Sequence, residues 1–151
     1  MNSSINLSTR TPSVMNHPLS KAANALREQI KEMIPETATE EDKKGTPKAT
    51  ASIDMEGNKT YSSVQLHSLV LKMVKEMEIG EGWGWNLGHF VVTKAIRNKY
   101  NQMYLVPLSE ETILTPGGPL KEGTYTFTTA EPTLSPYATV IFVVPMKSAE
   151  G

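Results

Sequence analysis

The sequence predicts an α+β domain: a largely antiparallel sheet packed against two or three helices, behind a disordered N-terminal arm. Three observations predict it. Residues 17–35 and 64–78 repeat their apolar side chains at helical spacing. From about residue 102 the pattern changes to a two-residue period, rich in Thr, Tyr, Phe and Val. The opening residues 1–16 are rich in Ser, Thr and Asn and show neither period.

The elements follow in order. After the arm, HPLSKAANALREQIKEMIPE reads as an amphipathic helix over 17–35. Pro18 suits a first helical turn and Pro35 a stop. Leu19, Ala22, Ala23, Leu26, Ile30, Met33 and Ile34 share one stripe, with Lys21, Glu28, Lys31 and Glu32 opposite. So short a helix is marginal alone, so its stripe needs a partner on its own domain or on a neighbour. Residues 36–48 (ETATEEDKKGTPK) read as a charged linker, which starts the globular part, 49–151, at Ala49.

ATASIDM predicts a strand, Gly57-Asn58 a turn, and Ser62 or Ser63 the cap of a helix from Val64 to Glu78. Its buried stripe is Leu66, Leu69, Val70, Met73 and Met77. GEGWGWNLG reads as a glycine-spaced loop carrying Trp83 and Trp85. A third helix is expected from about Trp85 to Arg97, with Leu87, Val91, Val92, Ala95 and Ile96 inward and Phe90, Lys94 and Arg97 outward. QMYLVPL, GTYTFTT and YATVIFVV then read as strands, with TPGGPLKEG and AEPTLSP as turns. YATVIFVV is apolar on both faces, which places it centrally or under cover.

Composition narrows the function. The chain has 151 residues, a formal charge of −1 and no cysteine. It therefore has no disulfide or thiolate site, which suits a reducing compartment, and any binding to nucleic acid or membrane must come from local patches. No stretch reads as a secretory signal or membrane span, and the Asn2, Asn6 and Asn58 sequons read as chance matches. The G-x-G pairs of GEGWGWNLG follow a helix and have the wrong third-glycine spacing for a dinucleotide cradle. His17, His67 and His89 are scattered, and the carboxylates Glu76, Glu78 and Glu81 read as a solvated cluster. With no nucleophile, base and orienter in any familiar pattern, no catalytic residue, metal or cofactor is expected.

Binding features stand out more. Every formal charge between Gly82 and Ser109 is positive: Lys94, Arg97 and Lys99. With Phe90 on the same expected helix face, Lys94 and Arg97 make a candidate contact for phosphate, an anionic lipid head or an acidic partner. A merely solvated face is the plainer alternative. Trp83 and Trp85 are candidates either for core packing or for contact with a membrane or partner. Lys43, Lys44 and Lys48 are offset by Glu40, Glu41 and Asp42.

ATASIDMEGNKTYSSV resembles the strand-to-helix entry of animal rhabdovirus matrix proteins, with their R-T-Y-S-like step, and GPLKEGTYTFTT followed by YATVIFVV is similar to their turn between late strands. The resemblance covers roughly 49–145. It implies a non-enzymatic viral matrix protein that self-assembles, links nucleocapsid to envelope membrane and supports budding from the inner face of host membranes. It implies that residues 1–16 and the following helix, with Leu19, Leu26, Ile30 and Met33, form a self-association arm. It makes Phe90, Lys94, Arg97 and Lys99 candidates for nucleocapsid or lipid contact, and Trp83 and Trp85 for a membrane or partner loop. The expected partners are further copies of the chain, the nucleocapsid, and anionic membrane or a glycoprotein tail. No sequence-specific nucleic-acid binding is implied. The chain departs from the family in its nearly balanced residues 1–48, in lacking late-budding motifs, and in its shorter length. The alternative is an intracellular adaptor or structural protein-binding module with a regulatory N-terminal tail.

Overall fold

The computed structural model describes residues 15–45 and 47–146. A serine starts each of its two long helices. Ser20 Oγ accepts from the Ala23 amide at 3.1 Å and opens α1 (Lys21–Glu32). A short helix, α2 (Glu40–Gly45), follows. Ser63 Oγ accepts from the Leu66 amide, also at 3.1 Å, and opens α3 (Val64–Glu76). Each cap satisfies an amide that the helix cannot.

Eleven strands complete the described residues: β1 (His17–Pro18), β2 (Thr50–Ile53), β3 (Lys59–Ser62), β4 (Trp83–Phe90), β5 (Lys94–Ala95), β6 (Met103–Pro107), β7 (Thr112–Thr115), β8 (Gly118–Leu120), β9 (Thr124–Thr128), β10 (Thr133–Leu134) and β11 (Ala138–Pro145). Seven form one sheet in the order β1-β9-β6-β11-β4-β3-β2, and four form a smaller sheet, β5-β10-β7-β8. Their pairings are antiparallel.

The result is three layers. Ile141 and Val143 of β11, with Leu87 and Val106, face α1 and α3 in one apolar core. Val140 and Phe142, with Leu105 and Met103, face Leu114, Leu120 and Leu134 of the small sheet in a second. β11 is the fourth of seven strands and is covered on both sides, as its doubly apolar sequence requires.

Several expectations need correction. No helix runs from Trp85 to Arg97; that stretch is β4, a bend, and the two-residue β5. Trp83, Trp85, Leu87 and His89 alternate with Gly84, Asn86, Gly88 and Phe90, so the period was two. Pro18 is not in a helix: β1 pairs with β9, and α1 begins three residues later. The stripe of α1 finds its partner at home. Ile30 and Met33 are buried, and Leu19 and Leu26 pack half-buried against the same core. Those four residues are therefore occupied within their own chain. Residues 1–14 of the expected arm lie outside the described residues, while Asn16 is fixed by the Lys121 amide and the Pro119 carbonyl, each at 3.1 Å.

The expected linker, 36–48, is also tied down. Its Glu36 accepts from Lys59 Nζ at 2.7 Å and from the Tyr61 hydroxyl. The core thus begins with α1 rather than at Ala49. Arg27, only 3% exposed, anchors α1 across the fold by pairing with Glu122 at 3.0 Å, and Lys31 reaches the same carboxylate at 2.7 Å. A buried guanidinium needs such partners to offset its lost hydration.

Candidate functional site

The small sheet leaves part of the large sheet's second face uncovered, and a cavity of about 570 Å³ opens there. Its floor comes from β4 and β11, where register sets Phe142 opposite Asn86 and Val144 opposite Gly84. Gly88 makes the depth. The Phe90 ring folds back over it, and a Cβ at 88 would sit 2.7 Å from the ring's Cζ. Phe90 and Phe142 meet edge to face at 5.9 Å, the arrangement their quadrupoles favour. Met103 and Ile96 complete the apolar lining.

The wall opposite this floor is β5 and the segment after it, which bring Lys94 and Arg97 to the cavity. Three residues expected together on a helix, Phe90, Lys94 and Arg97, are thus brought together by a strand, a bend and a second strand. Lys99 is not among the lining residues; its ammonium stands 5.4 Å from the Tyr100 ring centre. Among the described residues neither Lys94 nor Arg97 forms an ion pair. Asp54 lies within electrostatic reach of Lys94. Desolvation pushes its carboxyl up, but the Asn58 and Glu56 amides and the Lys94 charge outweigh this and hold it below the ordinary aspartate range. The recess therefore offers two cations beside the Phe90–Phe142 pair, with Asn86 and Thr60 also in its lining, which suits an anionic group carried on a body with an apolar face.

Trp83 and Trp85 are on β4, not on a loop, and both are half-buried under the helical layer. The Trp85 indole N–H donates to His67 Nδ1 at 3.0 Å. Trp83 packs on Tyr104 at 5.3 Å, and Tyr104 also meets Phe127 and Tyr125, the latter stacking on His17. The sequence reading missed this aromatic group. Its signal was present in the alternation of Tyr125 and Phe127 along one strand, but only the register that sets Tyr104 opposite Phe127 assembles it.

A polar cluster under the helices was missed too. Burial pushes the Tyr61 hydroxyl upward, and the facing Glu36 carboxylate adds to this. Desolvation raises the Glu36 carboxyl, but hydrogen bonds from Lys59 and Tyr61 dominate and bring it below the ordinary glutamate value. Burial holds His89 below the usual histidine value against the opposing pull of Glu36, and its Nδ1 lies 2.7 Å from Thr139 Oγ1. Glu36, Lys59 and Tyr61 satisfy one another and fasten the segment after α1 to β3, while His89 ties β4 to β11 through Thr139. Among the described residues, no three His, Asp or Glu side chains converge as metal ligands would, and no helix is long and apolar enough to cross a membrane.

Fold and recess define a three-layer α+β domain with a basic-rimmed cleft. No family model, curated protein or solved structure matches the chain.

Proposed function

We propose that this is a non-enzymatic binding and assembly protein whose recess receives an anionic partner. The particular reading is a rhabdovirus-type matrix protein, a structural protein of the virion that links nucleocapsid to the inner face of an enveloping membrane and supports budding. The observation that carries it is the pairing of Lys94 and Arg97, both without ion-pair partners among the described residues, above the Phe90–Phe142 floor. The resemblance of ATASIDMEGNKTYSSV and of GPLKEGTYTFTT to short stretches of matrix proteins is what points the reading to that family.

The test is reversal of the two cations. Lys94→Glu with Arg97→Glu is expected to leave the circular dichroism and melting profile unchanged, since Arg97 is exposed and Lys94 half-buried. It is expected to abolish sedimentation with anionic vesicles or with nucleocapsid. Binding equal to the parent chain on both partners eliminates the recess from this reading.

One observation favours the adaptor alternative. The α1 stripe is closed on its own core, as suits a self-contained module with one defined partner. Copurification separates the two: a single stoichiometric protein supports the adaptor, and nucleocapsid or lipid with concentration-dependent polymers supports the matrix reading.

A further inference from the structure

Strand β2 ends the seven-stranded sheet, and all four of its residues are exposed. The Asp54 amide donates to the Asn58 carbonyl at 2.9 Å, which fixes the phase of the β2–β3 ladder. Antiparallel pairs alternate between bonded and non-bonded positions. Thr50 and Ser52, opposite Ser62 and Thr60, therefore turn their N–H and C=O groups toward β3. Ala51 and Ile53 turn theirs outward. The preceding outward amide, that of Ala49, is taken by the Met33 carbonyl at 3.0 Å. Two donors and two acceptors remain on the open edge, at Ala51 and Ile53, with no partner among the described residues.

Soluble proteins commonly blunt such an edge with lysine, proline, a bulge or a cover. The strand TASI has neither charge nor proline, and the apolar side chains beside its open end are exposed: Ile53 is 63% accessible and Met55 fully so. The geometry points to a second copy of this chain as the occupant, added antiparallel about a two-fold axis through Ser52. In that register Ala51 of one copy lies opposite Ile53 of the other, twice. All four outward groups of each copy are then paired, giving four hydrogen bonds across the seam. Ala51 and Ile53 lie on the same face, so each seam pair is also an apolar contact. Thr50 falls opposite Asp54, so no like charges meet across the seam. A slide of two residues would set Ala51 against Ala51 and send Ile53 to Ala49, whose amide is already used. The two sheets become one across the dimer, and the interface is isologous.

This inference deepens the self-assembly part of the proposed function and gives it a surface in place of the occupied α1 stripe. Its test uses the chain's lack of cysteine. At the two-fold centre, Ser52 faces Ser52 in a non-hydrogen-bonded pair, where Cα atoms stand about 4.5 Å apart, within disulfide reach. Full-length Ser52→Cys is expected to convert to a covalent dimer under mild oxidation, while Lys72→Cys, exposed on α3, stays monomeric. Light scattering on the unmodified chain is expected to show a doubling of mass with concentration, lost in Ile53→Lys. Linking of Ser52→Cys no faster than Lys72→Cys overturns the proposal. So does linking that appears only after residues 1–14 are removed, because the edge then belongs to that segment. Failure of the two readings is separable. Polymers that form while Ser52→Cys stays unlinked retire the edge and leave assembly standing. Linked dimers that neither polymerise nor bind anionic partners keep the edge and retire the matrix reading.

Discussion

Glu36 shows how one side chain can turn an expected linker into structure. Its carboxylate holds Lys59 and Tyr61, and Tyr61 is 2% exposed. Hydrogen bonds to a charged group contribute about 1.5–3 kcal/mol each. Glu36→Gln is therefore expected to destabilise the domain by about 2 kcal/mol, or roughly 4–8 °C in Tm for a chain of this size. The pH dependence follows from the directions of two shifts. The Glu36 pKa is lowered on folding, so its contribution is fully present above its unfolded value of 4.5 and is lost as pH falls through the lower folded value. The His89 pKa is also lowered, so protonation favours the unfolded chain, and stability declines as pH falls below the ordinary value of 6.5. Melting curves should thus weaken in two steps on acidification. Glu36→Gln should shrink the lower step, to which Asp54 also contributes, and keep the upper one, with His89 no longer drawn upward by the Glu36 charge. A Tm unchanged between pH 7 and pH 3 would contradict both assignments. At this scale the sequence exposed the charged groups but not their pairing: Glu36 and Tyr61 are 25 residues apart, and His89 and Thr139 are 50.

At the scale of elements, the two long helices were legible by their amphipathic periodicity; the serine cap was also legible for α3, whereas Ser20, the cap of α1, was passed over in favour of Pro18. The stripe predicted for α3 is the one that packs, with Leu66, Val70 and Met73 buried. Met73→Asp would bury an unpaired charge and is expected to unfold the chain, seen as loss of cooperative melting. β4 was misread because glycine and tryptophan alternate in it. Gly84 and Gly88 look like loop residues until Met146 and Phe90 are seen lying over them, where a Cβ would approach to 2.6 Å and 2.7 Å. Helical spacing of Val91, Ala95 and Ile96 added a false period across a bend. For α1 the pattern was read correctly and its destination left open. Ile30→Ala, at a fully buried position, is expected to cost about 2–4 kcal/mol in denaturant unfolding, equally at low and high protein concentration. A loss that appears only at high concentration would mean that the stripe is exchanged between copies after all.

Across the whole molecule, function follows from what the layers leave open. Two sheets of unequal size cannot cover each other fully, and the uncovered remainder becomes the recess in which Lys94 and Arg97 meet Phe142, 45 residues beyond Arg97 in the chain (142 − 97). The net charge of −1 gives no global pull on an anion, so on the proposed function the attraction is assigned to this local pair. Binding through it should weaken as salt is raised from 50 to 300 mM, over which the Debye length shrinks from roughly 14 Å to 6 Å. Salt-independent binding in a vesicle sedimentation assay would assign the contact to apolar surface instead. The open edge at β2 is the second consequence of the layering, since a sheet that does not close has ends to pair.

By itself the sequence determined the α+β class, the stripes of α1 and α3 and the serine cap of α3, the central place of β11, and the cationic run at Lys94, Arg97 and Lys99. Each is a local matter of period, cap or charge, readable within a window of one element. Only the tertiary structure decided that α1 belongs to its own core, that Phe90 and Lys94 lie on strands, that two separated cations share a cleft with Phe142, and that Ala51 and Ile53 face outward. Those are matters of strand register and layer coverage. They depend on residues tens of positions apart, whose pairing is set by the packing of the whole core rather than by any local preference.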